Sequence, residues 1–387
     1  MRRYERFILI EPGYDSKITE LVLYLERFRV NNPIAFVKRL VHPEIFSYLR
    51  SILHAVECVA SARIEGNRTT LEEYVLEIFD KTRGNGSKEE RIREVLNINK
   101  AVSFVEELFS YDTRRVIDRS LISEVHKIIS DGLVKEGSKR PGEYRNSNVW
   151  IKGANFVPPD FTQVPDYMEE WIEVVNRPIK EQYHLIRLAL AHHRLVWIHP
   201  FDNGNGRVAR VLMYAMLLRD GFNIEVGRLI SPSGIFYNNR QLYYDMLSRA
   251  DTGRKEDLIL WVEYVLSGIK HHAERVISLM DAIFLEKEVF RPMLDRMMKS
   301  GLLTKLEFVV LSVASRGDLF RNADIRRSVG SRVSSTVVSR AISSCVNKGY
   351  LKVIGRRRYL LNLANLTVAR LLVSILREKG FIEGDYD

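Results

Sequence analysis

The segment from His199 to Arg210 constrains the fold of this 387-residue chain more than any other. It begins with histidine, proline and phenylalanine, and passes through the small-residue loop 203–206 into an apolar helix pattern that extends to Arg219. A second helix pattern, over residues 181–197, ends just before it. We therefore predict two consecutive helices joined by a tight loop, whose small residues let an anion approach the backbone.

The residue types in this segment suit the binding of a polyphosphate. Gly204 and Gly206 leave the free N–H groups at the helix start accessible, and the helix dipole favours an anion there. Arg207 and Arg210 lie three residues apart, so both guanidinium groups rise from one face of the helix. His199 directly precedes the loop, where its imidazole is placed to accept a proton from an incoming hydroxyl. The pattern predicts a nucleotide site with a general base.

The pattern His-Pro-Phe-x-x-Gly-Asn-Gly-Arg-x-x-Arg resembles the signature of Fic-domain proteins. The resemblance implies a helical core and the transfer of AMP from ATP to a hydroxyl side chain, either of a target protein or of the chain itself. It implies that His199 is the general base. It further implies that Asn205 and Arg207, with the 204–207 backbone, hold the α- and β-phosphates, and that Arg210 meets the γ-phosphate.

Two further segments derive their expected roles from this resemblance. Residues 137–159 do not show a helix pattern, and they contain a short β-like run that consists of Val149, Trp150 and Ile151. The stretch resembles the flap of the family, a β-hairpin that aligns the target by strand addition. Tyr243 and Tyr244 lie where family members contact the adenine side, and the alternative for both is burial in the core.

Position 203 departs from the family pattern. The family usually places Asp or Glu there to hold Mg²⁺ against the phosphates, whereas this chain has Asn203, a neutral ligand that binds hard cations more weakly. Three interpretations stay open. Mg²⁺ binds weakly through Asn203, the neighbouring Asp202 substitutes for it, or the chain binds nucleotide with poor or no transfer.

An upstream segment resembles the inhibitory motif of the family. Ser61, Glu65 and Gly66 match the motif at the end of a helix pattern that spans residues 40–62. The segment taken alone is a helix end with a glycine stop. The resemblance implies that Glu65 pairs with Arg210 and occupies the arginine that the γ-phosphate needs. We expect a self-inhibited protein whose inhibitory helix precedes the core.

The C-terminal segment has a different character. Helix patterns at 303–315, 322–329 and 334–349, followed by a hairpin pattern at 350–361, predict a winged helix-turn-helix. The net charge of +10 favours anionic partners, and basic residues cluster in this segment. We expect DNA contacts through residues 303–361, and the alternatives are protein docking and homodimer formation.

These patterns together predict a mainly α protein with three parts. The parts are an N-terminal helical region (1–99), a Fic core with a β-hairpin flap (100–282) and a winged helix domain (283–387). We find no apolar run of membrane-spanning length and no secretory signal, so we expect a cytoplasmic protein without membrane contact. The leading hypothesis is a self-inhibited protein adenylyltransferase. The alternative is a DNA-binding regulator whose Fic core binds nucleotide with weak or no transfer.

Overall fold

The computed structural model describes residues 6–13, 16–30, 39–79, 89–151, 156–222, 230, 232–330 and 333–382. The described chain is mainly helical, which confirms the predicted fold class. It divides into two compact units, of which the first comprises residues 1–32, 54–273 and 384–387, and the second 33–53 and 274–383. The predicted three-part division stays a prediction. Within the described ranges, none of the helices combines the length and apolar character needed to cross a membrane.

Helices follow one another along most of the chain. From the N-terminus they are α1 (Lys17–Val30), α2 (Pro43–Ile64), α3 (Leu71–Phe79), α4 (Glu90–Tyr111), α5 (Arg119–Ser130), α6 (Val164–Asn176), α7 (His184–Ile198), α8 (Asn205–Arg219), α9 (Pro232–Asn238), α10 (Arg240–Ala250) and α11 (Lys255–Met280). Single 3₁₀ turns at Phe161–Gln163 and Glu181–Tyr183 precede α6 and α7.

Helix α8 lies at the centre of the first unit. Helices α4, α5 and α7 pack against it, and nearly every side chain from Asn205 to Leu218 is buried. A helix with apolar side chains on most of its surface is stable in such an interior position, and its two buried arginines need polar partners there. The start of α8 is therefore fixed by its neighbours on several sides.

The predicted flap, residues 137–159, lies between α5 and α6, and its described part contains neither helix nor strand. Residues 149–151 do not pair as a strand, so the predicted β-pairing of this run is not observed, and residues 152–155 lie outside the described chain. Side chains hold the segment instead. The Arg145 guanidinium donates hydrogen bonds to the carbonyls of Ser147 (3.1 Å) and Pro159 (2.5 Å). Trp150 remains 79% exposed.

The second unit contains the predicted C-terminal elements. They follow a helical turn (Ala282–Phe284) and a π-helical turn (Leu285–Phe290), and they are α12 (Arg291–Lys299), α13 (Lys305–Ala314), α14 (Asn322–Val329), α15 (Ser335–Asn347), β1 (Leu351–Val353), β2 (Tyr359–Leu361) and α16 (Leu366–Glu378). Strands β1 and β2 form an antiparallel hairpin in which Lys352 faces Leu360. Phe320 adds a bridge to Tyr359, before α14. Helices α13, α14 and α15 and the hairpin lie where the sequence predicted them, whereas α12 and α16 were not predicted, and the assignment as a winged helix stays a prediction.

Candidate active site

His199 ends helix α7 in the left-handed conformation, with φ of 53°. Arg145 holds this turn, because its Nε donates to the His199 carbonyl (2.8 Å) and its backbone N–H donates to the Pro200 carbonyl (2.8 Å). The His199 Nδ1 lies 3.3 Å from the Val196 carbonyl, so Nδ1 carries the proton and Nε2 keeps a free lone pair. Burial lowers the pKa of His199 to about 4, so the imidazole is neutral at pH 7 and suited to accept a proton.

The loop after His199 is held by one amide side chain. The Asn205 Oδ1 accepts a hydrogen bond from the Phe201 N–H (2.8 Å), and its Nδ2 donates to the Phe201 carbonyl (2.9 Å). Gly204 begins helix α8 with φ of 76°, a conformation that glycine adopts without strain. The family resemblance implies that Asn205 binds phosphate, but in this structure both polar atoms of its amide form hydrogen bonds within the loop. Its phosphate role stays a prediction.

His126 on helix α5 joins this loop to the predicted flap, and it was not among the site residues predicted from the sequence. Its Nδ1 accepts a hydrogen bond from the Gly142 N–H (2.8 Å), so its Nε2 carries the proton and donates to the Asn203 carbonyl (3.1 Å). Its ring stacks on that of Phe201, with 3.7 Å between centroids. A lone histidine in an amphipathic helix carries no pattern that would reveal this role.

Arg207 is fully buried and paired with acidic and carbonyl groups. Its Nη1 donates to the Glu94 carboxylate (2.9 Å), and its Nη2 donates to the Glu136 carbonyl (2.7 Å). Burial raises the pKa of Glu94, and the Arg207 charge opposes that shift without cancelling it. The Asn67 amide also donates to Glu94 (2.7 Å), so the chain just after Glu65 is tied to the same buried pair.

Arg210 contacts the two residues predicted to inhibit it. Its Nε donates to the Ser61 hydroxyl and its Nη2 to the Ser61 carbonyl, both at 2.9 Å. The same Nη2 donates to the Glu65 carboxylate at 2.8 Å. Burial would raise the pKa of Glu65, but the charges of Arg210 and Arg207 outweigh burial and lower it. Glu65 is therefore ionised at neutral pH.

The carboxylate of Glu65 lies directly against the start of helix α8. A methyl group built on Gly206 would come within 2.2 Å of Glu65 Oε1 and 3.0 Å of Arg210 Nη1. Glycine at this position thus permits the close approach of Glu65. The carboxylate occupies space beside the first turn of α8, where the sequence analysis placed an anion.

The two adjacent tyrosines lie in different environments. Tyr243 is buried, stacks on Phe236 at 4.4 Å, and its hydroxyl lies 3.0 Å from Nε2 of His192. Tyr244 is partly exposed, and its hydroxyl donates to the Ile64 carbonyl at the end of α2 (2.8 Å). Tyr243 therefore packs in the core, and Tyr244 holds the end of the helix that carries Ser61.

Position 203 does not fit a metal held by protein carboxylates. The Asn203 Oδ1 accepts hydrogen bonds from the Gly204 N–H (2.7 Å) and from Arg207 Nη2 (3.4 Å). The Asp202 carboxylate turns to the flap, where it accepts from the Ser138 hydroxyl and the Lys139 N–H. In the described ranges, no three His, Cys, Asp or Glu side chains cluster as metal ligands.

Comparisons with known proteins relate part of this chain to one family. Residues 116–217 match the profile of the Fic/DOC family. The protein adenylyltransferase Fic of Nematostella vectensis is 30% identical over 217 residues, which are 56% of this chain and 46% of that protein. The protein of the same name from Aedes aegypti is 27% identical over 239 residues, or 57% and 43% of the two chains. The chain thus spans less than half the length of these relatives.

Two solved structures share the fold. A Fic family protein from Desulfovibrio desulfuricans G20 superposes with a TM-score of 0.53 at 20% identity, over 91% of this chain and 98% of that one. Fic-1 from C. elegans gives a TM-score of 0.51 at 24% identity, over 68% and 74%. The first likeness covers nearly the whole chain, and both concern the fold alone.

Proposed function

We propose that this chain is a self-inhibited protein adenylyltransferase that transfers AMP from ATP to a hydroxyl side chain of a protein. The observation that carries the proposal is the 2.8 Å ion pair between Glu65 and Arg210, placed beside the neutral His199 and the start of helix α8. The names of the relatives support ATP as the substrate and a protein as the acceptor. The acceptor is a partner protein or the chain itself.

In the proposed reaction His199 acts as general base. Its unprotonated Nε2 accepts the proton of the acceptor hydroxyl, and the hydroxyl oxygen attacks the α-phosphorus of ATP. The new bond joins that oxygen to the α-phosphorus, the bond from the α-phosphorus to the bridging oxygen breaks, and pyrophosphate leaves. Arg207 and the N–H groups at the start of α8 would stabilise the phosphates. Mg²⁺, where it binds, would shield phosphate charge.

The proposed inhibition follows from competition for one guanidinium. Arg210 is 1% exposed and already donates to Ser61 and Glu65. A γ-phosphate and the Glu65 carboxylate are both anions, so they repel each other and cannot share the same N–H groups. ATP would bind productively only after Glu65 withdraws.

A labelling experiment tests the proposal. ATP labelled at the α-phosphate is incubated with the native chain and with Glu65→Gly, and we expect label on protein to rise strongly in the variant. Glu65→Gln is the matched variant, because it keeps side-chain length and removes only the charge; we expect an intermediate rise. Glu65→Gly with His199→Ala is the control and should stay unlabelled. Equal, low labelling of all four proteins would refute the proposed transfer.

The second candidate is a regulator that binds nucleotide with weak or no transfer. The engagement of Asn203 Oδ1 by Gly204 and Arg207 favours it, because a metal ligand would have to give up these contacts. The C-terminal helices and hairpin, which we propose form a winged helix-turn-helix, suit a cytoplasmic regulator. Adding Asn203→Asp to Glu65→Gly separates the candidates: label that appears only in the double variant supports the regulator.

A further inference from the structure

Positive charge is concentrated in one short segment of the second unit. Residues 321–358 contain ten basic side chains and the single acidic residue Asp324, a net charge of +9 against +10 for the whole chain. The basic residues are Arg321, Arg326, Arg327, Arg332, Arg340, Lys348, Lys352, Arg356, Arg357 and Arg358. Such a concentration on one compact element is the electrostatic signature of a polyanion-binding surface.

Among the described residues, most of this charge is not neutralised by ion pairs. Three of the described basic residues form ion pairs, namely Arg327 with Asp324, Lys348 with Glu307 and Lys352 with Glu44. Arg326, Arg340 and the three arginines at 356–358 are exposed, and no described acidic side chain pairs with them. Exposed, unpaired guanidinium groups are free to bind phosphates and to release counterions from a nucleic acid.

Helix α15 presents a polar face beside these arginines. Its buried side consists of Val338, Ala341, Ile342 and Cys345. The exposed side carries short hydroxyl side chains, Ser335, Thr336, Ser339 and Ser343, together with Arg340. The Asn322 amide at the start of α14 donates to the Ser339 hydroxyl (2.7 Å), so the start of α14 contacts the exposed side of α15. Hydroxyls and arginine are donors suited to base edges and phosphates.

The β1–β2 hairpin exposes three successive arginines at its tip. The Ile354 N–H donates to the Arg358 carbonyl (2.9 Å) and closes the turn. Gly355 and Arg357 both adopt positive φ, at 69° and 55°, and Arg356 stands between them. All three arginines of the tip are exposed. A basic wing of this kind contacts the phosphate backbone next to the groove that receives the helix.

We propose that helix α15 and the tip of the β1–β2 hairpin form a surface that binds double-stranded DNA. The helix enters the major groove and the arginine tip binds the adjacent backbone. Duplex DNA fits better than single-stranded RNA, because RNA-binding surfaces stack bases on exposed aromatic side chains. The one aromatic residue in 321–358 is Tyr350, and it is buried. The surface lies wholly in the second unit, so it does not rest on the proposed transfer reaction.

The test is a fluorescence-anisotropy titration of the full chain, without nucleotide, into a labelled duplex of about 30 base pairs. Five phosphate contacts by Arg326, Arg340 and the three tip arginines predict a log–log salt slope of about −4.5, a roughly 500-fold loss of affinity between 50 and 200 mM salt. The double variant Arg356→Ser, Arg358→Ser should weaken binding and lower the slope magnitude by about 2.

The matched control is Lys299→Ser with Lys305→Ser, which removes two exposed charges of the same unit outside the surface. We expect the control to bind as the native chain does, with both double variants melting at the same temperature as native by circular dichroism. Three results would overturn the proposal: affinity that does not depend on salt, an equal loss in the control, or tighter binding to single-stranded RNA or anionic lipid vesicles than to the duplex.

Discussion

Replacing Gly206 by alanine should change stability in opposite directions, depending on whether Glu65 is present. The added methyl would lie 2.2 Å from Glu65 Oε1, so the carboxylate must move away from it and from Arg210. A hydrogen bond between charged groups contributes about 1.5–3 kcal/mol to stability. Because the Glu65 side chain is 30% exposed, solvent screening reduces this to about 1–2 kcal/mol.

Helix propensity acts against that loss. Gly206 lies in the first turn of α8 with no positive φ, and alanine there gains about 0.5–1 kcal/mol over glycine. We therefore expect Gly206→Ala to destabilise the native chain by about 0.5–1 kcal/mol and to stabilise Glu65→Gly by about the same amount. The coupling between the two positions is then about 1–2 kcal/mol.

Urea unfolding of the native chain, both single variants and the double variant measures this coupling as a double-mutant cycle. Tryptophan fluorescence is a suitable probe, because Trp171, Trp197 and Trp261 are buried in the first unit. An equal effect of Gly206→Ala in both backgrounds would mean that Glu65 does not lie against α8, and the proposed inhibition would lose its structural basis.

Three further predictions concern the same site. His126→Phe keeps the ring on Phe201 but loses hydrogen bonds to Gly142 and Asn203, so the free energy of unfolding should fall by about 1–3 kcal/mol in urea. Burial depresses the pKa of His126 to about 4, so its neutral form contributes fully to stability above about pH 6.5, and this contribution is lost as pH falls towards 4. The free energy of unfolding of His126→Phe should therefore fall less steeply with acid than that of the native chain. An equally steep fall in both proteins would contradict this. Labelling by Glu65→Gly should be nearly constant from about pH 8 to pH 5 and decline towards pH 4, because His199 is neutral above its lowered pKa. A decline that begins near pH 6.5 would mean that the pKa of His199 is not lowered. In the double variant Glu65→Gly, Asn203→Asp, labelling with Mg²⁺ should exceed labelling with a chelator by at least ~10-fold. Equal labelling under the two conditions would mean that the residue at position 203 does not control metal binding.

The chain's periodic patterns predicted several of its helices. The apolar spacing around α2 and α7 and the breaker residues before α8 placed the helices within a few residues of their observed ends. The resemblance to the inhibitory motif of the family predicted that Glu65 pairs with Arg210, and the structure shows this pair together with a contact from Ser61 to Arg210. Local patterns and one family motif thus located the site.

Contacts between distant residues that no family motif contains could not be predicted from the sequence. Glu94 pairs with Arg207 across 113 positions, and Arg145 holds His199 across 54, and no periodicity encodes such partners. The predicted strand at 149–151 also failed for a reason of this kind. The β-branched and aromatic residues of this run indicate only a local preference for extended backbone. A strand also needs a neighbouring strand, and there is none among the described residues, where the Arg145 guanidinium holds the segment instead.

The loop before α8 contains two Asn-Gly bonds, 203–204 and 205–206, and this dipeptide is the one most prone to spontaneous deamidation. Asn205 is protected, because both atoms of its amide are bonded to Phe201 and its backbone is helical. Asn203 is less restrained, and the Gly204 nitrogen that would attack its side chain already lies 2.7 Å from its Oδ1. Hydrolysis of the resulting succinimide leaves aspartate or isoaspartate at 203. Ageing of the purified protein would therefore introduce a carboxylate at position 203, and intact-mass spectra of fresh and stored samples should accompany every assay of metal dependence.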